Sequence, residues 1–148
     1  MMNNKLPRWK KRLQVFNLIY EDVLENHNTN SQEIIKNAFE KLEFDHFQMK
    51  IIEYYFANYE KAVELIKSYL LPTWPYERIS PVTRAILLTA YSEYYSVNTD
   101  KPVIINEALK TCVTRGVVRD KKFINALLDK ILISTSDKQK ENDAKNEQ

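Results

Sequence analysis

Two groups of basic residues in this chain have the types and the spacing suited to binding a polyanion. The first group precedes the first acidic residue, Glu21, and consists of Lys5, Arg8, Lys10, Lys11 and Arg12. A helix dipole disfavours cations at the amino end of a helix, so helix stability does not explain this cluster. One interpretation is contact with RNA phosphates, and the alternative is a solvated face that keeps the protein soluble.

The second group surrounds the single glycine of the chain, Gly116, and leads directly into Phe123. Its basic members are Arg115, Arg119, Lys121 and Lys122. Single-stranded RNA is bound by this combination, because cations neutralise phosphates while a ring stacks on a base, which contributes roughly 1–3 kcal/mol. Phe123 as a core residue is an equal alternative.

A polar pair, Asn106 and Glu107, lies between apolar residues of a helix that we predict to be largely buried. An unsatisfied buried polar group costs about 1–3 kcal/mol, so the pair needs partners, and Arg84 or Arg78 could donate to it. We interpret it as a structural bridge between helices. A carboxylate–arginine pair can also be catalytic, but no nucleophile, metal-ligand cluster or glycine-rich phosphate loop stands near it in the sequence.

Other chemistry-bearing residues are few. The single cysteine, Cys112, excludes an internal disulfide and is predicted to be a small buried side chain. His27 and His46 have no ligands at metal spacing, so we predict cap or surface roles, no metal site and no cofactor. No apolar run approaches the roughly 18 residues of a membrane span, and no signal peptide is expected, which predicts a cytoplasmic protein without a membrane partner.

The composition predicts helices as the elements that position these residues. A chain of 148 residues with one glycine and five prolines has little material for tight hairpins and suits a single all-α domain. Pro7 opens a first helix whose predicted apolar stripe is Trp9, Leu13, Phe16, Tyr20 and Leu24, with Arg8, Lys11 and Arg12 projecting away from it. Asn30, with Glu33, caps a second helix over 31–42.

Asp45 caps the longest predicted helix, which Pro72 stops. Trp74 follows in a proline-rich connector and is predicted to fill the seam between two helical layers. The next helix carries Ala85 and Ala90 on a line of small residues and is predicted to be central. Two more helices follow, one that starts at Asp100 and stops at Gly116, and one that is capped by Asp120.

The second half of the chain carries a recognisable set of residues. In chain order they are Trp74, Arg78-Ile79, Arg84-Ala85-Ile86-Leu87, Glu93, Ile105-Asn106-Glu107-Ala108, Gly116 and Phe123-Ile124-Asn125-Ala126-Leu127-Leu128-Asp129. In the first helix, Arg12 precedes Asn17-Leu18-Ile19-Tyr20, which is similar to a Gln-x-Leu-Tyr pattern. At this spacing, residues 8–131 resemble the NusB family of bacterial transcription antitermination factors.

The resemblance implies a fold of two small helical bundles packed together, with six to seven helices in all. The bundles would cover residues 8–70 and 76–133. Residues 134–148 are polar, mixed in charge and without periodicity, which by itself predicts a disordered tail. It implies a non-catalytic protein of the RNA polymerase antitermination complex. Such a protein binds boxA-type single-stranded RNA jointly with the ribosomal protein NusE, so that ribosomal RNA operons are read through.

The family's RNA-binding side would include the loop before Phe123. Its partner surface would include Tyr20 and the exposed side of the helix that contains Thr83. Thr83 stands where an acid is common, Ala126 replaces a common glycine, and Arg119 stands where an acid is frequent. Two alternatives remain. One is a scaffold or ribosome-assembly factor that mainly holds the ribosomal protein. The other is an enzyme, since NusB-like domains occur fused to ribosomal RNA cytosine methyltransferases, although no glycine-rich cofactor-binding motif is found.

Overall fold

The computed structural model describes residues 5–41 and 43–133, and this part of the chain contains six α-helices and no strand. The helices are α1 (Arg8–Leu24), α2 (Ser31–Lys41), α3 (His46–Ser68), α4 (Pro81–Val97), α5 (Lys101–Thr114) and α6 (Lys121–Ile131). Single 3₁₀ turns at Tyr76–Arg78 and Val118–Asp120 lead into α4 and α6. The all-α prediction is confirmed. The predicted tail, 134–148, lies outside the described residues, and none of the described helices has the length and apolarity to cross a membrane.

Helix α4 is the centre of the molecule. It packs against α1 and α3 of the amino-terminal half and against α5 and α6 of the carboxy-terminal half. Ala85 and Ala90 are buried on it, which allows neighbouring helices to approach closely. A single hydrophobic core contains residues of both halves, from Val15 to Leu132. The predicted central helix and its line of small residues are confirmed.

Capping residues fix where the helices begin and end. The Gln48 N–H donates to Asp45 Oδ1 at 2.9 Å and the Asp45 N–H donates to Gln48 Oε1 at 3.0 Å, a reciprocal capping box at the start of α3. At the end of α5, Gly116 has a φ of 76°, and the Val117 N–H donates to the Cys112 carbonyl at 3.0 Å. This Schellman motif requires a left-handed residue, so the prediction of Gly116 as the helix stop is confirmed.

The predicted stripe on α1 is wrong at both ends. Trp9 and Leu24 are 53% and 51% exposed. The residues that α1 buries are Val15, Phe16, Ile19, Asp22 and Val23. Helix α1 carries two adjacent apolar rows offset by one residue, and the row through Val15, Ile19 and Val23 is the one that faces the core.

Two predictions for the connector and the last helix are also wrong. Trp74 is 47% exposed and does not fill a seam, because the 3₁₀ turn directs Tyr76 and Ile79 into the core instead. Asp120 does not cap α6 with its side chain. Its carboxylate accepts a hydrogen bond from Thr83 Oγ1 at 2.7 Å, which ties the start of α6 to the start of α4.

A buried polar cluster lies at the carboxy-terminal end of α1. Asp22 is 1% exposed and accepts hydrogen bonds from Thr29, Tyr55 and His27, whose Nδ1 lies 2.6 Å from the carboxylate. Burial, together with Asp22, raises the pKa of Tyr55 far above its ordinary value, so the hydroxyl remains a donor. The His27 ring stacks on Tyr59 at 3.5 Å between centroids. His27 is therefore part of a side-chain network rather than a simple cap or surface residue.

Candidate nucleic-acid interface

Arg8 and Lys10 present their charges to solvent at the start of α1. Both residues are exposed. The Arg8 guanidinium lies over the Phe47 ring at 3.8 Å, and the Lys10 ammonium lies 5.4 Å from the centre of the Trp9 ring. A ring orients a cation without neutralising it, so both charges remain available to a phosphate.

Lys11 and Arg12 lie in a different environment. Arg12 donates to Glu93 through Nε at 2.8 Å and through Nη2 at 2.9 Å, and Glu93 is 3% exposed. Lys11 Nζ lies 2.6 Å from Asp45 Oδ2. Both cations are thus partly buried in ion pairs that join α1 to α4 and to the start of α3. The prediction that they project away from the packed face is wrong, because each meets an acid from another helix.

Opposing effects set the charge of Asp45. Burial alone would raise its pKa. The hydrogen bonds from Lys11 and from the Gln48 N–H, helped by the nearby positive charges of Lys11 and Arg8, outweigh burial and hold the pKa below its ordinary value. Asp45 is therefore ionised at neutral pH and its pair with Lys11 is intact.

The predicted bridge through Asn106, Glu107 and Arg84 is also wrong. Asn106 is exposed, and Glu107 pairs at 3.5 Å with Lys110 on the same helix. Arg84 Nε donates to the Ile79 carbonyl at 3.0 Å instead. The inward residues of α5 are Ile104, Ala108 and Cys112, and this spacing turns Asn106 outward. Cys112 is fully buried, as predicted.

The buried carboxylate–arginine pair that joins two helices is Glu93 on α4 with Arg12 on α1, not Glu107 with Arg84. Sequence reasoning gave Glu93 no role. The signal that could have found it is an acid that stands alone in an otherwise apolar or uncharged run of the central helix, from Ala85 to Val97. Such a buried acid requires a cationic partner.

An open groove runs between the first turns of α1 and the end of α5. Its volume is about 760 Å³ and it is lined by Arg8, Trp9, Arg12, Leu13, Glu107, Lys110, Thr111, Val113 and Thr114. Trp9 and Val113 are 53% and 52% exposed within it. The groove therefore offers an exposed ring together with the exposed cations Arg8 and Lys110.

Arg115 brings the second basic segment against α1. Its guanidinium lies 5.0 Å from the centre of the Phe16 ring and donates to the side-chain oxygen of Asn17. Arg119, Lys121 and Lys122 follow, and all three are exposed. Arg115 thus joins the second basic segment to the middle of α1, the helix whose first turns carry the first basic group.

Phe123 occupies an intermediate position. It packs against the hydrophobic core but remains partly exposed. It also lines a second cleft, of about 410 Å³, together with Trp74, Arg78, Ile79, Ser80, Arg119 and Asp120. One ring can therefore contribute both to packing and to a surface contact.

The two residues predicted to bind a partner differ in exposure. Thr83 is 0% exposed, because its hydroxyl is held between Ser80 and Asp120, so the expectation that it lies on an exposed helix face is wrong. Tyr20 is partly exposed, with its ring stacked on Phe16 at 5.8 Å between centroids. Tyr20 remains a predicted partner contact.

Comparison with known proteins gives consistent matches. The model of the NusB family matches residues 10–132. The transcription antitermination protein NusB of Neisseria meningitidis is 30% identical over 131 residues, which cover 86% of this chain and 91% of that protein. The uncharacterised protein MG027 of Mycoplasma genitalium is 32% identical over 150 residues, with 88% and 95% covered.

Among solved structures, NusB of T. maritima superimposes with a TM-score of 0.70 at 26% sequence identity, covering 86% of this chain and 92% of that one. The family match covers every described helix except the first residues of α1. The fold, the family model and the relatives agree, and the chain belongs to the NusB family.

Proposed function

We propose that this protein is a transcription antitermination factor that binds boxA-type single-stranded RNA together with the ribosomal protein NusE and promotes read-through of ribosomal RNA operons. The observation that carries the proposal is the contact of Arg115 with Phe16 and Asn17. This contact joins the basic segment that precedes Phe123 to the middle of α1, the helix whose first turn carries the exposed residues Arg8 and Lys10. In this role the protein acts without catalysis or cofactor, in the cytoplasm, as part of the RNA polymerase antitermination complex.

The exposed cations suit a strand of phosphates. Arg8 and Lys110 are exposed in the groove, and Lys10 is exposed on the first turn of α1. The segment after α5 adds three more exposed cations, Arg119, Lys121 and Lys122. Each phosphate contact releases condensed counterions, which contributes to affinity without selecting a sequence. Exposed rings add stacking on unpaired bases, and Trp9 and Phe123 supply one ring on each segment.

The partner surface is proposed to centre on Tyr20. Leu24 follows one turn later on the same face of α1 and is 51% exposed. An amphipathic ring beside an exposed leucine suits a protein partner better than a phosphate strand. Because Thr83 is buried, no ion pair or hydrogen bond to NusE is assigned to it.

The test is RNA binding measured by fluorescence anisotropy. A boxA-type strand and a scrambled strand would be titrated with and without the NusE-type ribosomal protein. We expect a preference for boxA that grows when the partner is added. Tight binding of the partner without binding of either RNA would instead support the scaffold or ribosome-assembly function.

A further inference from the structure

We propose that the cleft at the amino end of α4 is a second nucleotide subsite, in which Trp74 and Arg78 hold an unpaired base and its phosphate beside Phe123. Trp74, Arg78, Arg119 and Phe123 line this cleft of about 410 Å³. The inference rests on the proposed RNA-binding function and extends its site to two residues of the connector before α4. Its occupant is a nucleotide of the same RNA strand that lies in the groove between α1 and α5.

The exposure of Trp74 is not explained by packing. Its neighbours Tyr76 and Ile79 fill the core, with 7% and 4% of their surface exposed, whereas Trp74 is 47% exposed. Pro72 and Pro75 flank it and restrict the backbone, so the indole is presented on a stiff segment. A ring held in this way loses little conformational entropy when a base stacks on it.

The charges of the cleft favour an anion beside the stacked base. The Arg78 guanidinium lies 5.9 Å from the centre of the Trp74 ring, and Arg119 is exposed. Asp120 is the acidic residue that lines the cleft, and its carboxylate already accepts a hydrogen bond from Thr83 at 2.7 Å. Two guanidinium groups with two rings match the stacking and phosphate contacts by which unpaired nucleotides are bound.

The distance along α4 determines the length of RNA that is needed. The cleft includes Ser80, at the start of α4, whereas the groove between α1 and α5 lies near Glu93 through its contact with Arg12. At 1.5 Å per residue these two points are roughly 20 Å apart. A strand must therefore span several nucleotides to occupy both, and Trp74 should matter only for strands of that length.

The first experiment compares Trp74→Ala with Tyr69→Ala by anisotropy, using a boxA-type 12-mer and a 4-mer. Tyr69 is 46% exposed and does not line the cleft, so it controls for loss of an exposed ring. We expect Trp74→Ala to weaken binding of the 12-mer roughly 5- to 150-fold. Tyr69→Ala should leave the affinity unchanged, and neither change should affect the 4-mer by a comparable factor.

A second measurement keeps Trp74 in place. The chain has two tryptophans, so Trp9→Phe leaves Trp74 as the single indole. If a base stacks on Trp74, the 12-mer should quench the indole fluorescence of the Trp9→Phe variant in a saturable way. The midpoint of the quenching should equal the midpoint of the anisotropy titration of the same variant. If the wild-type protein binds the 12-mer but Trp74→Ala has the same affinity and no quenching occurs, the subsite is wrong while the proposed function stands. If the wild-type protein binds no RNA even with its partner, both are wrong.

Discussion

The two basic regions of this protein differ in what their charges do. At the start of α1, Arg12 and Lys11 are partly buried against Glu93 and Asp45. In the segment after α5, Arg119, Lys121 and Lys122 are exposed, and Arg115 connects them to α1. Both regions look alike as runs of Lys and Arg. The comparison shows that a run of cations overstates the number of phosphate contacts when some of its members meet acids from other helices.

This difference assigns separate roles to neighbouring residues. We expect substitution of Lys11 or Arg12 to reduce the free energy of unfolding, since each joins two helices. We expect substitution in the exposed segment to reduce RNA affinity while the fold is unchanged. Arg8 and Lys10 lie on the same helix as Lys11 and Arg12, but they are exposed. We therefore expect their substitution to reduce RNA affinity while the fold is unchanged. Four predictions test this division.

The largest effect is expected for Arg12→Met. This change leaves Glu93, which is 3% exposed, as an unpaired buried carboxylate. Breaking a buried ion pair in this way costs about 3–5 kcal/mol, and the loss would appear in urea unfolding followed by circular dichroism. The matched control is the double variant Arg12→Met with Glu93→Leu, which removes both charges and should recover most of the stability. If Arg12→Met alone has the same free energy of unfolding as the wild type, the ion pair of Arg12 does not stabilise the fold.

The next effect is expected for Phe123→Leu. The substitution retains an apolar side chain for packing but removes the ring, so RNA affinity should fall by about 1–3 kcal/mol while the fold is kept. Anisotropy with a boxA-type strand measures the loss. Phe39→Leu on α2, where the ring is 71% exposed, is the control and should not change the affinity. Equal affinities of the two variants would assign Phe123 to the core alone.

A smaller, pH-dependent effect is expected for Asp45→Asn. The amide can still accept the capping hydrogen bond from Gln48, so the change mainly removes the charge that pairs with Lys11. Because the pKa of Asp45 is lowered on folding, its stabilisation is present above the ordinary carboxyl pKa of about 4 and is lost as the pH falls through the folded value. The free energy of unfolding of the wild type should exceed that of the variant by up to about 1 kcal/mol at pH 7. A difference that persists undiminished at pH 2.5 would contradict the ion-pair interpretation.

The smallest effect is expected for the single variants Lys121→Gln and Lys122→Gln. Each removes at most one phosphate contact, so the slope of log affinity against log salt should become less steep by about 0.7. The free energy of unfolding should not change. Lys130→Gln, an exposed change at the other end of α6, is the control for net charge. A slope altered equally by all three would mean that the charges act only through the overall field of the protein.

Local features of this fold are predictable from the sequence. Asp45 and Gln48 form a capping box within four residues, and Gly116 supplies the left-handed conformation that ends α5. Neither depends on the rest of the molecule. The all-α class and the central position of α4 follow from composition and from an apolar run with small residues, which are also local properties.

Several of the errors concern pairing across the fold. Arg12 and Glu93 are 81 residues apart in the chain, and Thr83 and Asp120 are 37 apart. Sequence spacing cannot choose between the several acids and bases that could meet over such separations. The same limit placed Arg84 beside Glu107, and it hid the contact between Asp22 and Tyr55, which are 33 residues apart. The error at Trp74 is local, because the sequence pattern did not show that the 3₁₀ turn after it buries Tyr76 instead.

The most direct test of the division between the two regions is the salt dependence of RNA binding. Wild type and the triple variant Arg119→Gln, Lys121→Gln and Lys122→Gln would be titrated with a boxA-type strand across a salt series, with urea unfolding of both. We predict a slope less steep by about 2 in the triple variant, with an unchanged free energy of unfolding. The same slope in both proteins would contradict the assignment of this segment to RNA binding.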